Sequence, residues 1–344
     1  MTEKKEIPYL IALTHSSQLR IEQINALLVK ILHEKQSTLE AFFQGAPDSW
    51  KKDFSLDEKE LDGVKAAKGE LPNSSFLAED LLEQGYEVIP LYSTEYSKTL
   101  KENLNMKSSP PILYVKGNKQ ILREDSIAIV GSRDASDKSL QFTDNIAKRA
   151  SRQYKVVVSG FAKGVDKQAL DSALKHKGHS IIVLPQGIMT FDSGMNKYYT
   201  QIIEGDVLVL STFFPKAPWS VQLAMGRNPV IYGLAKNIYV AESGHEGGTW
   251  SGVMNGLGKG RTIYVRMPEP GESNANLALI EKGATPVDFD GEVLKREVGR
   301  VSEQMGEYKI EAKSVEKPAK QSKGKKRKRG KKKAEKDDTQ LDLV

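Results

Sequence analysis

Cysteine is absent from all 344 residues, which excludes disulfides, thiolate zinc sites and a cysteine nucleophile. No apolar run approaches the roughly 18 residues of a membrane span. The start, MTEKKEIPYL, lacks the apolar core of a signal peptide. These absences read as a soluble cytoplasmic protein with no membrane partner, and a reducing interior is compatible with the missing cysteine. No repeat of a solenoid period is present. What is present suits a globular chain: 39% of residues are apolar, and the length holds one large or two ordinary domains.

The net charge of +6 is unevenly placed. Of 51 basic and 45 acidic residues, eleven basic and one acidic fall between Lys320 and Lys336, so the remaining 40 and 44 leave the rest of the chain at −4. The tail KPAKQSKGKKRKRGKKKAEKDD has no apolar period and cannot bury a core, so it reads as disordered. Its Lys325, Lys326, Arg327, Lys328, Arg329, Lys331, Lys332 and Lys333 make a polycation suited to nucleic-acid phosphates. A solubilising terminus or a nuclear localisation signal has the same composition.

From residue 126 onward short apolar runs alternate with helix-length segments. The runs IAIVG (127–131), KVVVSG (155–160), SIIVLPQG (180–187), DVLVLST (206–212), NIYVAES (237–243) and RTIYVRMP (261–268) are apolar on both faces. That pattern belongs to parallel strands covered by helices above and below. Leu140, Thr143, Ile146, Ala147 and Ala150 recur at helical spacing, as do Ala169, Ala173 and Leu174. The fold class is therefore α/β, a doubly wound, mostly parallel Rossmann-like sheet. The first residues differ: Leu19, Ile21, Ile24, Leu27, Leu28, Ile31 and Leu32 predict an amphipathic helix, and LEAFFQG and SSFLAEDLLEQG predict more. GYEVIPLYS (85–93) reads as one strand, and SSPPILYVKGN (108–118) as an extended connector broken by Pro110 and Pro111. The expected organisation is a small helical domain at 1–75, a sheet domain at 76–300 and the basic tail at 301–344.

In an open parallel sheet, ligands bind beyond the carboxyl ends of the strands. Here those ends carry Gly131, Ser132 and Arg133; then Ser159, Gly160, Lys163, Gly164 and Asp166; then Gly187; and Gly247, Gly248 and Thr249 opening a later helix. Glycines let backbone amides approach an anion, and helix N-termini bring partial positive charge. Arg133 and Lys163 add formal charge, so the pattern points to phosphate groups. Any one of these turns alone is an ordinary tight βα connection. SGFAKG is not a dinucleotide fingerprint, and Gly258-Lys259 lacks the residues of a phosphate-cradling loop.

Together IAIVGSR, VVVSGFAKGVD, GRNPVIYGLA with Arg227 and Asn228, and the Gly-Gly-Thr turn after VAES resemble the DNA-processing protein A (DprA/Smf) family. The segment GYEVIPLYSTEYSKTLKENLNMKSSPPILYVKGN upstream and GRTIYVRMP and LIEKGA downstream are similar as well, so the likeness covers about residues 80 to 290. The resemblance implies a Rossmann-like domain that binds single-stranded DNA without sequence preference and catalyses nothing. It also implies a homodimer that protects the strand and hands it to a RecA-type recombinase during DNA uptake, with no cofactor. The chain departs from the family at Pro229, where an arginine is usual, at Ala224 for a phenylalanine, at Leu170 for a histidine and at Thr212 for a glutamate. A C-terminal winged-helix domain is not recognisable, and the basic tail stands in its place.

Other candidates read as structure. His176 and His179 in KHKGHS lie at a helix end with no third ligand in view, so no metal site is expected. His245 and Glu246 belong to a loop, Asp166 suits a helix cap, and Ser159 has no identifiable base. The competing class is a Rossmann protein for a small nucleotide, either a sensor or a hydrolase of nucleoside monophosphates of the lysine-decarboxylase-like type. GGTWSGVMNG offers no acid after Gly-Gly-Thr, which speaks against hydrolysis.

Overall fold

A computed structural model describes residues 2–294, so the basic residues from Lys325 to Lys333 lie outside the described part. In chain order the strands are β1 (Glu87–Pro90), β2 (Ile112–Gly117), β3 (Ser126–Val130), β4 (Val156–Ser159), β5 (Ser180–Val183), β6 (Val207–Ser211), β7 (Asn237–Val240), β8 (Ile263–Arg266) and β9 (Thr285–Val287). They form one nine-stranded sheet in the order β1-β2-β6-β5-β4-β3-β7-β8-β9. From β6 to β9 every neighbouring pair is parallel, with Ala128 opposite both Val158 and Ile238. Residues 108–118 are not merely a connector: Ile112–Gly117 forms β2, antiparallel to both β1 and β6. The two prolines stop short of the ladder, at the strand start where a missing N–H is tolerated.

The helices before the sheet are α1 (Thr2–Ser16), α2 (Ile21–Val29), α3 (Leu39–Gln44), α4 (Pro47–Phe54), α5 (Glu58–Gly69) and α6 (Leu71–Glu83). The predicted apolar face of α2 continues through a π-helical segment, Lys30–Glu34, which buries Ile31. Within the sheet region lie α7 (Lys98–Ser108), α8 (Asp137–Arg152), α9 (Val165–Lys175), α10 (Asp192–Lys197), α11 (Tyr199–Glu204), α12 (Val221–Leu234), α13 (Gly247–Gly258) and α14 (Asn276–Glu281).

Strand alternation explains the layers. Ile127, Ile129 and Val157 point to one face and meet Phe142, Ile146 and Ala147 of α8 and Ala169 and Ala173 of α9. Ala128, Val130 and Val158 point to the other face, against Val230 and Ile231 of α12 and Val253 of α13. Helices α1 to α6 share a further buried cluster with Tyr114 of β2, Ile182 of β5 and Val209 of β6. Residue 75 falls inside α6, whose Leu77, Ala78 and Leu81 belong to that cluster. Among the described residues no helix is long and apolar enough to cross a membrane.

Candidate functional site

From β3 the sheet builds outward through β4, β5 and β6, and then β7 returns to the opposite side of β3. The connections leaving β3 and β7 therefore diverge, and a crevice opens beyond their carboxyl ends. A cleft of about 440 Å³ occupies that position. Its walls are Gly131, Ser132 and Arg133 after β3, Asp166 from α9, Arg227 and Asn228 from α12, and Gly247, Gly248 and Thr249 from α13. Nine of the fourteen crevice residues singled out from the sequence thus meet in one place.

Hydrogen bonds fix the loop that carries Arg133. Ser132 donates its amide to the Glu242 carbonyl at 2.9 Å, and its own carbonyl accepts the Val165 amide at 3.2 Å. The Glu242 carboxylate accepts the Ser136 hydroxyl at 2.6 Å and the Ser139 hydroxyl at 2.7 Å, tying the start of α8 to the end of β7. Gly164 sits at φ +82°, and a side chain there would run into the Ser132 carbonyl 2.4 Å away. Only glycine lets α9 begin so close to the β3 loop. Arg133 is exposed and makes no ion pair with any described residue.

Two helices aim their N-termini here, α9 and α13, and neither carries a side-chain cap. In α9 the Val165 and Lys167 amides already donate to the carbonyls of Ser132 and Ala162, so the leading amides of α13, together with the two helix dipoles, are what favour an anion here. Asp166 is not the cap its sequence position suggested: it lies one residue inside α9, whose capping residue is Gly164.

Arg227, carried by α12, is not a free cation of the cleft. Its side chain is buried, donating to the carbonyls of Val183 at 2.6 Å and Gly160 at 2.9 Å, with Asp166 at 3.5 Å. A Cβ on residue 160 would fall 2.0 Å from that guanidinium, so Gly160 makes room for Arg227 rather than for a ligand. Burial pushes the Asp166 carboxyl upward, opposed by Arg227, the Ala162 amide, the Ser159 hydroxyl and Arg133. Burial likewise lowers the Arg227 guanidinium, with Asp166 opposing. The pair forms a neutralised floor beneath Arg133.

The remaining predicted residues do not line this cleft. Ser159 is buried and donates to the Ile129 carbonyl at 2.8 Å. Lys163 and Gly164 border a neighbouring depression with Lys167, and Lys163 pairs with Asp134 at 3.2 Å. Gly187 binds the Ala217 carbonyl at the end of β5, away from the cleft walls. His179 faces Glu124 at 2.8 Å, His176 lies 3.8 Å from Asp144, and His245 packs on Trp250. Among the described residues no group of three His, Asp or Glu could hold a metal ion.

Two contributors were missed. Glu242 was read only as the end of the strand run 237–243, and Arg266 only as part of the strand run 261–268. Arg266 is fully buried, with its guanidinium on the Glu272 carboxylate at 3.0 and 2.5 Å, the Ala241 carbonyl at 3.1 Å and the Ser139 hydroxyl at 3.1 Å. Through Ser139 it braces Glu242, and so the loop bearing Arg133.

Comparison with known proteins agrees with this layout. The chain is 31% identical over 190 residues to the DNA processing protein DprA of Streptococcus pneumoniae, covering 54% of this chain and 66% of that relative. It is 27% identical over 212 residues to DprA of Bacillus subtilis, covering 60% of this chain and 69% of that one. The solved structure of the pneumococcal protein superposes with a TM-score of 0.67 at 23% identity, covering 81% of this chain and 94% of that one. A structure of DNA processing protein A from Helicobacter pylori, solved for its single-stranded DNA binding mode, gives 0.50 at 24% identity over 58% of this chain and 90% of that one. The family model for DNA recombination-mediator protein A matches residues 87–297, well over half of the chain, and the chain belongs to that family.

Proposed function

We propose that the cleft between β3, α9, α12 and α13 binds the sugar–phosphate backbone of single-stranded DNA without reading its sequence. The observation that carries this reading is Arg133, an exposed arginine with no ion pair among the described residues, set over two uncapped helix N-termini at the sheet's switch point. Its guanidinium is a planar fork that can hold a phosphate through two hydrogen bonds. The single-stranded DNA binding described for the Helicobacter pylori family member supports the same ligand. The reading assigns binding and no bond chemistry. The protein would act in the cytoplasm as a homodimer, shielding the strand and passing it to a RecA-type recombinase in DNA uptake. The basic tail would add contacts of another kind, since a polycation gains by counterion release on any phosphate chain.

Fluorescence anisotropy with labelled oligo-dT and a duplex of equal length tests this. Arg133→Ala is expected to erase the preference for the single strand while duplex binding persists. Removing residues 312–344 is expected to weaken both and to flatten the salt dependence, by about 0.7 in log–log slope per lost phosphate contact on single strands. If Arg133→Ala changes nothing and removal of the tail alone abolishes binding at low salt, the cleft is not a DNA site. Base release from AMP, measured in parallel, would then favour the nucleotide-ligand reading.

A further inference from the structure

A second depression, of about 200 Å³, lies between α7, α12 and α13. It shares Met225, Asn228, Tyr232 and Gly248 with the cleft, then follows α13 through Ser251 and Asn255 to Lys259, which do not line the cleft. Tyr232 is 7% exposed, and its hydroxyl has no hydrogen-bond partner among the described residues. A Cβ on residue 252 would fall 2.7 Å from that oxygen. The hydroxyl therefore stands at Gly252, part of the wall of this depression and not of the cleft. A buried hydroxyl without a partner is disfavoured, so a ligand that supplies one is favoured here. Pro229 adds to this: inside α12 it has no N–H to give the Met225 carbonyl, and both residues line the depression.

The walls restrict what fits. Met225 and Pro229 on one side and the Gly252 and Gly256 stretch of α13 on the other form an apolar slot. An engineered cavity of about 150 Å³ holds benzene, so this one takes a ring system of base size. No Asp or Glu of the described residues lines it, and exposed Lys259 has no ion pair among them. We propose that the depression binds a free nucleoside monophosphate, its base in the slot against the Tyr232 hydroxyl and its phosphate at Lys259. A purely apolar ring would leave the hydroxyl unpaired, whereas a base carries donors and acceptors along its edge. Lys259 follows α13 about 18 Å along the helix from its N-terminus, at about 1.5 Å per residue, so its anion is not the phosphate assigned to Arg133. This site goes beyond the DNA reading and does not depend on it.

Calorimetric titration of the full chain with AMP and GMP tests the site, with their nucleosides for comparison. At least one nucleotide should bind wild type and Arg133→Ala alike. Tyr232→Phe should weaken it about fivefold, the worth of one neutral hydrogen bond. Lys259→Ala should bring the nucleotide down to the affinity of its nucleoside. Without ligand, Tyr232→Phe should melt no lower than wild type, because it removes a hydroxyl that no described group satisfies. A lower melting temperature would show that the fold already supplies the partner, and would overturn the proposal. So would a wild type that binds neither nucleotide, or a Tyr232→Phe variant that binds as tightly as wild type. Binding abolished by Arg133→Ala overturns it too, because the nucleotide would then sit in the cleft.

Discussion

Arg266 ends β8, and Arg133 follows the end of β3 by three residues; the fold surrounds them in opposite ways. Arg266 is sealed from water, its fork matched by both oxygens of Glu272 and its remaining protons by a carbonyl and a hydroxyl. Arg133 is exposed and makes no ion pair with a described residue, although its charge is felt by the buried Asp166 carboxyl. A buried guanidinium left unmatched is strongly disfavoured, so the fold must supply its partners. An exposed one is solvated and can wait for a ligand. The lesson is that location at a strand end does not make an arginine a ligand contact; the completeness of its partners decides. Arg227 repeats the point inside the cleft itself, where Gly160, Val183 and Asp166 already occupy it.

The largest effect should come from unmatching Arg266. Glu272→Ala leaves a fully buried cation with two donors facing nothing, which typically costs about 3–5 kcal/mol. Urea unfolding should show that loss. A change under about 1 kcal/mol would mean that Arg266 finds water or another acceptor, and the contrast with Arg133 would weaken.

A smaller effect follows from a base that the fold keeps neutral. His15 packs on Tyr114 and Phe214 and bonds the Tyr114 hydroxyl at 2.9 Å, and burial lowers its pKa from 6.5 to about 4. The unfolded chain then binds the proton more readily, so stability is full above about pH 6.5 and falls as pH drops toward 4. The loss amounts to on the order of 3 kcal/mol, an upper figure because the ring keeps some exposed edge. Glu272, held below its usual range chiefly by Arg266, adds a loss only below about pH 4.5, as its carboxylate is protonated. The difference between wild type and His15→Gln across this range isolates the histidine. Parallel pH curves for the two would show that His15 is charged in the fold.

Much of this layout was legible because parallel strands and their turns leave strong local patterns. The six apolar runs from residue 127 onward became β3 to β8, and GSR, GRN and Gly-Gly-Thr converge because the strand order reverses beside β3. What stayed hidden depends on distant partners. β2 pairs with chain almost a hundred residues away, and two prolines at its head mask it. α1 buries Ile7, Leu10, Ile11, Ala12 and Leu13 at nearly every turn position, so it shows no polar face to reveal a period. β9 is three residues long with a proline in the middle. Arg227 could have been placed: its helix, VQLAMGRNPVIYGL, is apolar on most faces, so an arginine there is more apt to be enclosed than displayed. Leu170, where the family usually has histidine, packs in the core beneath α9.

The smallest expected effect on stability is at Arg133, and it tests the contrast most sharply. An exposed side chain without described partners contributes little to folding, so Arg133→Ala and Arg133→Lys should both stay within about 0.5 kcal/mol of wild type in urea unfolding. Their effects on oligo-dT should nevertheless separate. Lysine keeps the charge but presents a point donor in place of the planar fork, so it should retain the electrostatic share of binding and lose the paired hydrogen bonds. Arg133→Lys is therefore expected to bind between wild type and Arg133→Ala, with a salt slope close to wild type, while Arg133→Ala loses about one phosphate contact's worth of slope. Equal affinities for lysine and arginine at this position would mean that the cleft senses charge alone. A destabilisation above about 1 kcal/mol in either variant would place Arg133 with Arg266, as a structural arginine whose partners belong to the fold.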